Sequence, residues 1–253
     1  MKTGSAQTSR LPKVDPWLRT WFLWYAKRYT RRRFHTVRLS RSSRLPQEAP
    51  SLVLYSNHAS WWDPMMAAVL SGALMPQRTG FAPIDARALK QYPFFRRLGF
   101  FGVDPSSALG VRGFLRTSEA ILNSLNTFLW ITPQSRFADV RERPLEFARG
   151  LSRLQDMFPN IPFVPVAIEY PFWEERAPEA LVHIGEPAST GLEEALGEAM
   201  DYLAELSIGR VGEEFFDLTR REVGVGGVYD VWRRMRQALS SGSTRPSLNH
   251  GQR

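Results

Sequence analysis

The chain has 253 residues, 43% of them hydrophobic, and a formal net charge of +8. This length and apolar content suffice for one sizeable core, so we expect one main domain with terminal extensions. The chain contains no cysteine, which excludes a thiol nucleophile, a cysteine-ligated metal and a disulfide framework. It also lacks the G-x-S-x-G, P-loop and H-E-x-x-H patterns, and no metal site is predicted.

Positive charge is concentrated in residues 1–44, which carry twelve Lys or Arg residues and a single acid, a net charge of +11. The remainder of the chain is therefore net negative. Within this segment residues 16–33 are predicted to form a helix that ends in basic residues and carries aromatic side chains on one side, namely Trp17, Trp21, Trp24 and Tyr25. Trp and Tyr favour the headgroup level of a bilayer, and basic side chains favour anionic lipids. The pattern predicts an amphipathic helix at a membrane interface.

Charged residues interrupt this helix at Arg19, Lys27 and Arg28, so it does not supply the roughly 20 apolar residues that crossing a bilayer needs. No cleaved signal peptide is predicted either. We therefore expect a peripheral protein on the cytoplasmic face of a membrane, with membrane lipids as partners. Two alternatives stay open: the helix covers the protein's own core, or its Arg cluster binds nucleic-acid phosphates. Because no nucleic-acid module follows, no nucleic-acid partner is expected.

Apolar runs alternate with helical patterns along the rest of the chain. The predicted strands are residues 51–56, 77–83, 100–103, 127–132, 163–170 and 181–184, and the predicted helices are residues 64–74, 86–92, 112–125, 191–206 and 213–239. Strands separated by helices pair in parallel, so we expect an α/β fold with a mostly parallel central sheet flanked by helices. This domain is placed at residues 45–240, and residues 241–253 are expected to be a disordered tail.

The strongest chemical signal lies in residues 57–63, between a short apolar strand and a helix that begins near Pro64. His58 is therefore predicted at the carboxyl end of a strand, where ligands bind in open α/β sheets. A histidine accepts protons near neutral pH, and a carboxylate on its other ring nitrogen fixes the tautomer. With Asp63 as that carboxylate, the H-x4-D pair suits acyl or phosphoryl transfer. Alternatively, His58 caps a turn and Asp63 is a first-turn helix acid.

The sequence of residues 57–63, NHASWWD, resembles the N-H-x-S-x-x-D block of the glycerolipid acyltransferases, which include lysophosphatidate and lysophospholipid acyltransferases of phospholipid biosynthesis. The resemblance extends more loosely over residues 45–185. It implies direct transfer of a fatty acyl group from an acyl-CoA or acyl-carrier-protein thioester to a lipid hydroxyl, without a cofactor. In this reaction His58 would deprotonate the hydroxyl and Asp63 would hold His58.

The resemblance also implies substrate-binding residues. Asn57 and Ser60 belong to the first block. The family's third block, F-P-E-G-T-R-S, is matched by residues 132–137, where Gln134 replaces Glu, Ser135 replaces Gly and Arg136 comes one position early. Gln134 loses the charge of Glu but gains an amide donor.

Two arginines are candidates for binding an anionic substrate. Arg136 would clamp the anion, unless it merely pairs with Asp139 or Glu142. The family's arginine of the second block falls on Pro105, which cannot bind phosphate, and Arg112 is a candidate replacement or an exposed helix residue.

A lysophospholipid is the leading acceptor, and a glycolipid or another lipid hydroxyl is the alternative because it needs fewer cations. A non-catalytic lipid-binding protein with the same fold is the contrasting interpretation, since the middle blocks depart from the family pattern.

Overall fold

The computed structural model describes residues 11–220. Its strands are β1 (Thr36–Ser40), β2 (Ser51–Ser56), β3 (Thr79–Asp85), β4 (Phe100–Val103), β5 (Thr127–Ile131), β6 (Phe163–Glu169), β7 (Ala180–Ile184) and β8 (Phe215–Arg220). Its α-helices are α1 (Pro16–Arg33), α2 (Asp63–Leu74), α3 (Ala86–Gln91), α4 (Ala108–Leu122), α5 (Gly150–Met157) and α6 (Leu192–Gly209). Two short 3-10 helices, Pro93–Leu98 and Gly212–Glu214, complete the set within the described range.

The described strands form an eight-stranded sheet in the order β4-β3-β5-β2-β6-β7-β1-β8. The pairings β2–β5, β2–β6, β3–β4, β3–β5 and β1–β7 are parallel. Only β6–β7 and β1–β8, among the pairings between these strands, are antiparallel. The predicted α/β fold with a mostly parallel sheet is therefore confirmed. Because β2 runs parallel to both of its neighbours, the loops after β2, β5 and β6 leave the sheet at the same edge.

Helices cover both faces of the sheet. Successive side chains of a strand point to opposite faces, and in β2 Leu52 and Leu54 join the core beside α1 and α2. Val53 and Tyr55 join the core beside α4, α5 and α6. This burial on both faces explains why β2 is a continuous apolar run rather than an alternating one.

Three elements differ from the sequence expectations. The strand β1 was not predicted, and it lies inside residues 1–44, so the sheet begins before residue 45. The helix predicted for residues 213–239 is wrong where β8 forms, because β8 pairs antiparallel with β1. The rest of that predicted helix and the tail of residues 241–253 lie outside the described residues. The short helix α5 was also missed.

The start of α4 is fixed by a side-chain cap. The Ser107 hydroxyl accepts a hydrogen bond from the backbone N–H of Gly110 at 3.0 Å, and the helix begins at Ala108 rather than at residue 112. A serine at this position satisfies one of the backbone donors that a helix leaves free in its first turn. Because of this cap, α4 begins earlier in the chain than predicted and closer to the end of β4.

The helix α1 has one covered side and one exposed aromatic side. It packs against α2 and buries Ala26 and Thr30. On the outer side Trp17, Trp21 and Trp24 are 87%, 54% and 58% exposed. No helix within residues 11–220 is long and apolar enough to cross a bilayer.

Candidate active site

The candidate site is built where the chain leaves β2, and side-chain hydrogen bonds fix that point. The Asn57 amide donates from Nδ2 to the backbone oxygen of Ile168 at 2.9 Å and accepts from the Ile168 N–H at 2.8 Å. The indole N–H of Trp130 donates to the Ser56 hydroxyl at 3.1 Å. Asn57, a predicted substrate-binding residue, is thus buried and joins the end of β2 to β6. These contacts give the residue after it, His58, a defined position.

The imidazole of His58 and the carboxylate of Asp63 form a hydrogen-bonded pair. His58 Nδ1 lies 2.7 Å from Asp63 Oδ2, and the side chains are 20% and 1% exposed, respectively. Asp63 opens the first turn of α2, where the helix dipole favours a negative charge. With Nδ1 donating to the carboxylate, Nε2 of His58 is the nitrogen that can accept a proton. The structure therefore brings the two predicted catalytic residues together.

The buried carboxylate of Asp63 receives two further hydrogen bonds. The backbone N–H of Ser60 donates to Oδ2 at 3.1 Å, and the hydroxyl of Tyr170 donates to Oδ1 at 2.6 Å. A carboxylate removed from water needs such donors. The sequence analysis did not single out Tyr170, which directly follows β6, the neighbour of β2. Its place at the end of a predicted strand is the sequence feature that indicates a position at the same edge of the sheet as His58.

The loop after β5 holds the main chain of His58. The Gln134 side chain accepts a hydrogen bond from the His58 N–H through Oε1 at 2.9 Å, and the Ala138 N–H donates to the His58 carbonyl oxygen at 2.9 Å. Because the His58 N–H is a donor, Oε1 is the Gln134 atom that faces it. Gln134 Nε2 has no hydrogen-bond partner among residues 11–220, so the amide group keeps a donor that is not engaged within this range.

Ser60 lies in the turn after β2, and Ser135 lies in the loop after β5. The Ser60 hydroxyl accepts a hydrogen bond from the Trp62 N–H at 3.2 Å, within the turn that carries His58. Ser135 is exposed and has a φ of 56°, in the left-handed region that non-glycine residues rarely adopt. The glycine that the family carries at this position suits that conformation. The neighbouring Phe137 ring lies 4.5 Å from the His58 ring between centroids.

The two candidate cations lie on the surface. Arg136 binds Glu142 through both of its terminal nitrogens, with Nη1 donating to Oε2 at 3.1 Å, and this pairing lowers the pKa of the Glu142 carboxyl. Arg112 is exposed on α4, and no hydrogen bond or ion pair within residues 11–220 joins it to the other predicted site residues. The sequence left two interpretations of Arg136, as a clamp for an anionic substrate or as the partner of a nearby acid. The structure shows the pair with Glu142.

His183 on β7 is a buried histidine that takes no part in the hydrogen bonds of this loop. Its Nδ1 is 2.6 Å from the Ser40 hydroxyl of β1, and burial lowers the pKa of His183 to about 4. The ring is therefore neutral near pH 7 and bound inside the sheet, as a structural histidine is.

The sequence model of the Acyltransferase family matches residues 36–169, which include β1, the His58–Asp63 pair and the loop of Gln134. The chain belongs to the acyltransferase family. This confirms the family predicted from residues 57–63.

A crystal structure supports the same fold. The acyltransferase is similar to the 1-acyl-sn-glycerophosphate (LPA) acyltransferase PlsC from Thermotoga maritima, with a TM-score of 0.51 and 16% sequence identity over 78% of this chain and 80% of that chain. At this identity the likeness concerns the fold. A comparison with curated protein sequences gave no match.

Proposed function

We propose that the protein transfers a fatty acyl group from an acyl thioester to a hydroxyl group of a membrane lipid, with His58 and Asp63 as the general base. The proposal rests on the 2.7 Å hydrogen bond between His58 Nδ1 and Asp63 Oδ2 in a chain of the acyltransferase family. Nε2 of His58 takes the hydroxyl proton, and the oxygen attacks the thioester carbonyl. The carbon–sulfur bond then breaks, and the imidazolium returns the proton to the leaving thiolate.

The attack places negative charge on the carbonyl oxygen of the thioester, and Gln134 is our candidate for stabilising it. Its Oε1 accepts from the backbone N–H of His58, and Nε2 of the same amide group remains a donor. A donor that is already oriented stabilises developing charge without reorganisation during the reaction. The glutamate that the family carries at this position would offer no such donor.

The leading acceptor is a lysophospholipid, and a lipid hydroxyl without a phosphate group is a second candidate that a specific contact favours. Arg136 is engaged by Glu142, and Pro105 occupies the position of the family's phosphate-binding arginine. A phosphate-bearing acceptor would have to displace Glu142 from Arg136. An acceptor such as a glycolipid would leave that pair intact. The donor is acyl-CoA or acyl carrier protein, and no cofactor takes part in the proposed reaction.

The acceptor class can be tested with purified protein, acyl-CoA or acyl carrier protein as donor, and three acceptors: lysophosphatidate, another lysophospholipid and a glycolipid. We expect release of free thiol together with a new lipid ester, measured by mass spectrometry, with a lysophospholipid as the best acceptor. As a matched variant, Arg136→Gln should raise the KM of phosphate-bearing acceptors only. A preference for the glycolipid that Arg136→Gln leaves unchanged would favour the second candidate.

We further propose that the exposed aromatic side of α1 lies in the interface of a membrane, on the cytoplasmic face, and that the protein is peripheral. The three tryptophans are exposed to solvent, and the last turn of α1 holds Arg31, Arg32 and Arg33. Basic side chains near an anionic surface favour binding by about 1 kcal/mol each. This arrangement would bring lipid acceptors to an enzyme that stays at the membrane surface.

Replacing Trp17, Trp21 and Trp24 together with glutamine should reduce binding to anionic vesicles by roughly tenfold or more, because each change removes apolar surface from the bilayer interface. Sedimentation with vesicles measures the bound fraction. The control is the pair Leu125→Gln and Ile208→Gln, which removes other exposed apolar side chains and should leave binding unchanged. Equal binding of the tryptophan variant and the wild type would refute the role of α1.

A further inference from the structure

We infer that Tyr170 is a positioning residue for the proposed reaction, because its hydroxyl holds the carboxylate that in turn orients His58. The inference rests on the proposed role of the His58–Asp63 pair and adds a third member to it. Tyr170 OH, Asp63 and His58 Nδ1 form a continuous chain of hydrogen bonds of 2.6 and 2.7 Å. Each oxygen of the carboxylate thereby receives a side-chain donor.

Tyr170 restrains the orientation of the Asp63 carboxylate plane. Oδ2 is held by His58 and by the Ser60 N–H, both from the same turn of the chain. Oδ1 is held by Tyr170, which lies at the end of a different strand. Without this hydroxyl the carboxylate would be fixed on one side only. Small losses of orientation at a general base cost rate because proton transfer needs aligned groups.

Packing holds the Tyr170 ring in place. Its centroid lies 5.7 Å from that of Phe34, the residue that caps α1, and Phe34 meets the ring of Trp62 edge-on at 4.9 Å. Trp62 directly precedes Asp63 in the chain. The aromatic contacts therefore fix the hydroxyl relative to the carboxylate that it binds. Such pairs add stability beyond their buried area.

The electrostatics make Tyr170 a donor rather than an acid or base. Burial, and next the charge of Asp63, raise the pKa of Tyr170 well above its usual value. The phenol thus keeps its proton at any pH at which a histidine base works. Its hydrogen bond withdraws charge from the carboxylate and so moderates the attraction of Asp63 for the imidazolium. Tyr170 therefore influences both the orientation of the Asp63 carboxylate and the strength with which that carboxylate holds the His58 ring.

The test is Tyr170→Phe, which removes one hydroxyl and keeps the ring. We expect kcat to fall roughly tenfold, since a hydrogen bond to a charged group is lost. Without the hydroxyl, Asp63 holds the protonated imidazole more strongly, so the acid limb of kcat/KM should move to higher pH by about half a unit. The profile is measured with the same acceptor for every variant, so titration of the substrate cancels.

Tyr55→Phe is the matched control. Tyr55 is fully buried in β2, and its hydroxyl has no hydrogen-bond partner in the described part of the chain. Loss of that hydroxyl should leave both kcat and the pH profile unchanged.

A second substitution at the target site places 3-fluorotyrosine at residue 170. Because the fluorinated phenol is a stronger hydrogen-bond donor, this variant should move the acid limb of kcat/KM to lower pH, opposite to the shift in Tyr170→Phe. It keeps both the ring and the hydroxyl, so it tests the inference even if Tyr170→Phe does not fold.

The outcomes separate this inference from the proposed function. Opposite shifts of the acid limb in the two Tyr170 variants support the positioning role. A lower kcat with an unmoved pH profile in both variants overturns it, because a purely structural residue would behave in that way. Unchanged kinetics of Tyr170→Phe beside an inactive His58→Ala overturn the inference alone. Wild-type activity of His58→Ala contradicts the proposed base and this inference together.

Discussion

Replacement of His58 by alanine should reduce acyl transfer by about 10²- to 10⁴-fold, the usual contribution of a general base. In the proposed reaction the imidazole takes the hydroxyl proton through Nε2, because Asp63 already occupies its Nδ1. Steady-state kinetics with the best donor and acceptor give kcat, and circular dichroism verifies that the variant is folded. Because the main chain of His58 is held by Gln134 and Ala138, loss of the side chain should leave the loop in place.

His58→Gln is the matched variant for this experiment. A glutamine side chain can still donate a hydrogen bond to Asp63, but it cannot take up a proton near neutral pH. Both variants should therefore be inactive to a similar degree. Wild-type turnover in both would mean that another group removes the proton. Absence of turnover in the wild-type protein with every acceptor would instead favour the non-catalytic lipid-binding interpretation.

The substitution Asp63→Asn should lower kcat by about 10²- to 10⁴-fold as well, and it should also destabilise the fold. Three donors, from His58, Ser60 and Tyr170, converge on the carboxylate. An asparagine offers one oxygen and one NH₂ group, and with the NH₂ group in the place of Oδ2 the His58 and Ser60 donors would both face another donor. That conflict leaves buried polar groups unsatisfied at about 1–3 kcal/mol each and turns His58 toward the wrong tautomer. Kinetics and urea unfolding measure the two effects.

Asp156→Asn serves as the control because Asp156 is an exposed carboxylate on α5. It should change neither kcat nor the midpoint of urea unfolding. If Asp63→Asn retained full activity, the carboxylate would not orient the base. If it retained full stability, its buried donors would have found other partners.

Much of the central fold follows from local sequence. The apolar run of residues 51–56 and the proline at residue 64 predict β2, α2 and the turn between them. His58 and Asp63 are only five residues apart, so the turn alone brings them close. Arg136 and Glu142 are similarly near in sequence, and their pairing was one of the two interpretations of Arg136.

The contacts that escaped the sequence analysis join distant parts of the chain. Tyr170 reaches Asp63 across 107 residues, and Gln134 reaches His58 across 76. The strand β8 replaces part of a predicted helix because it forms only by pairing with β1, which is far away in sequence. The pattern of a segment does not identify its partner when that partner is so remote. To predict contacts between side chains at neighbouring strand ends, one must know the order of the strands, and only the structure supplies it.

The two hydrogen bonds that fasten the main chain of His58 use the side chain of Gln134 and the backbone of Ala138. Neither bond involves the side chains of residues 135–137. Because the Phe137 ring lies against the His58 ring, only residues 135 and 136 of these three can vary in size and charge while the His58 imidazole stays where it is. Redesigning the enzyme for a different alcohol should begin there, with Gln134 kept or replaced only by another residue that presents an oxygen to the His58 amide.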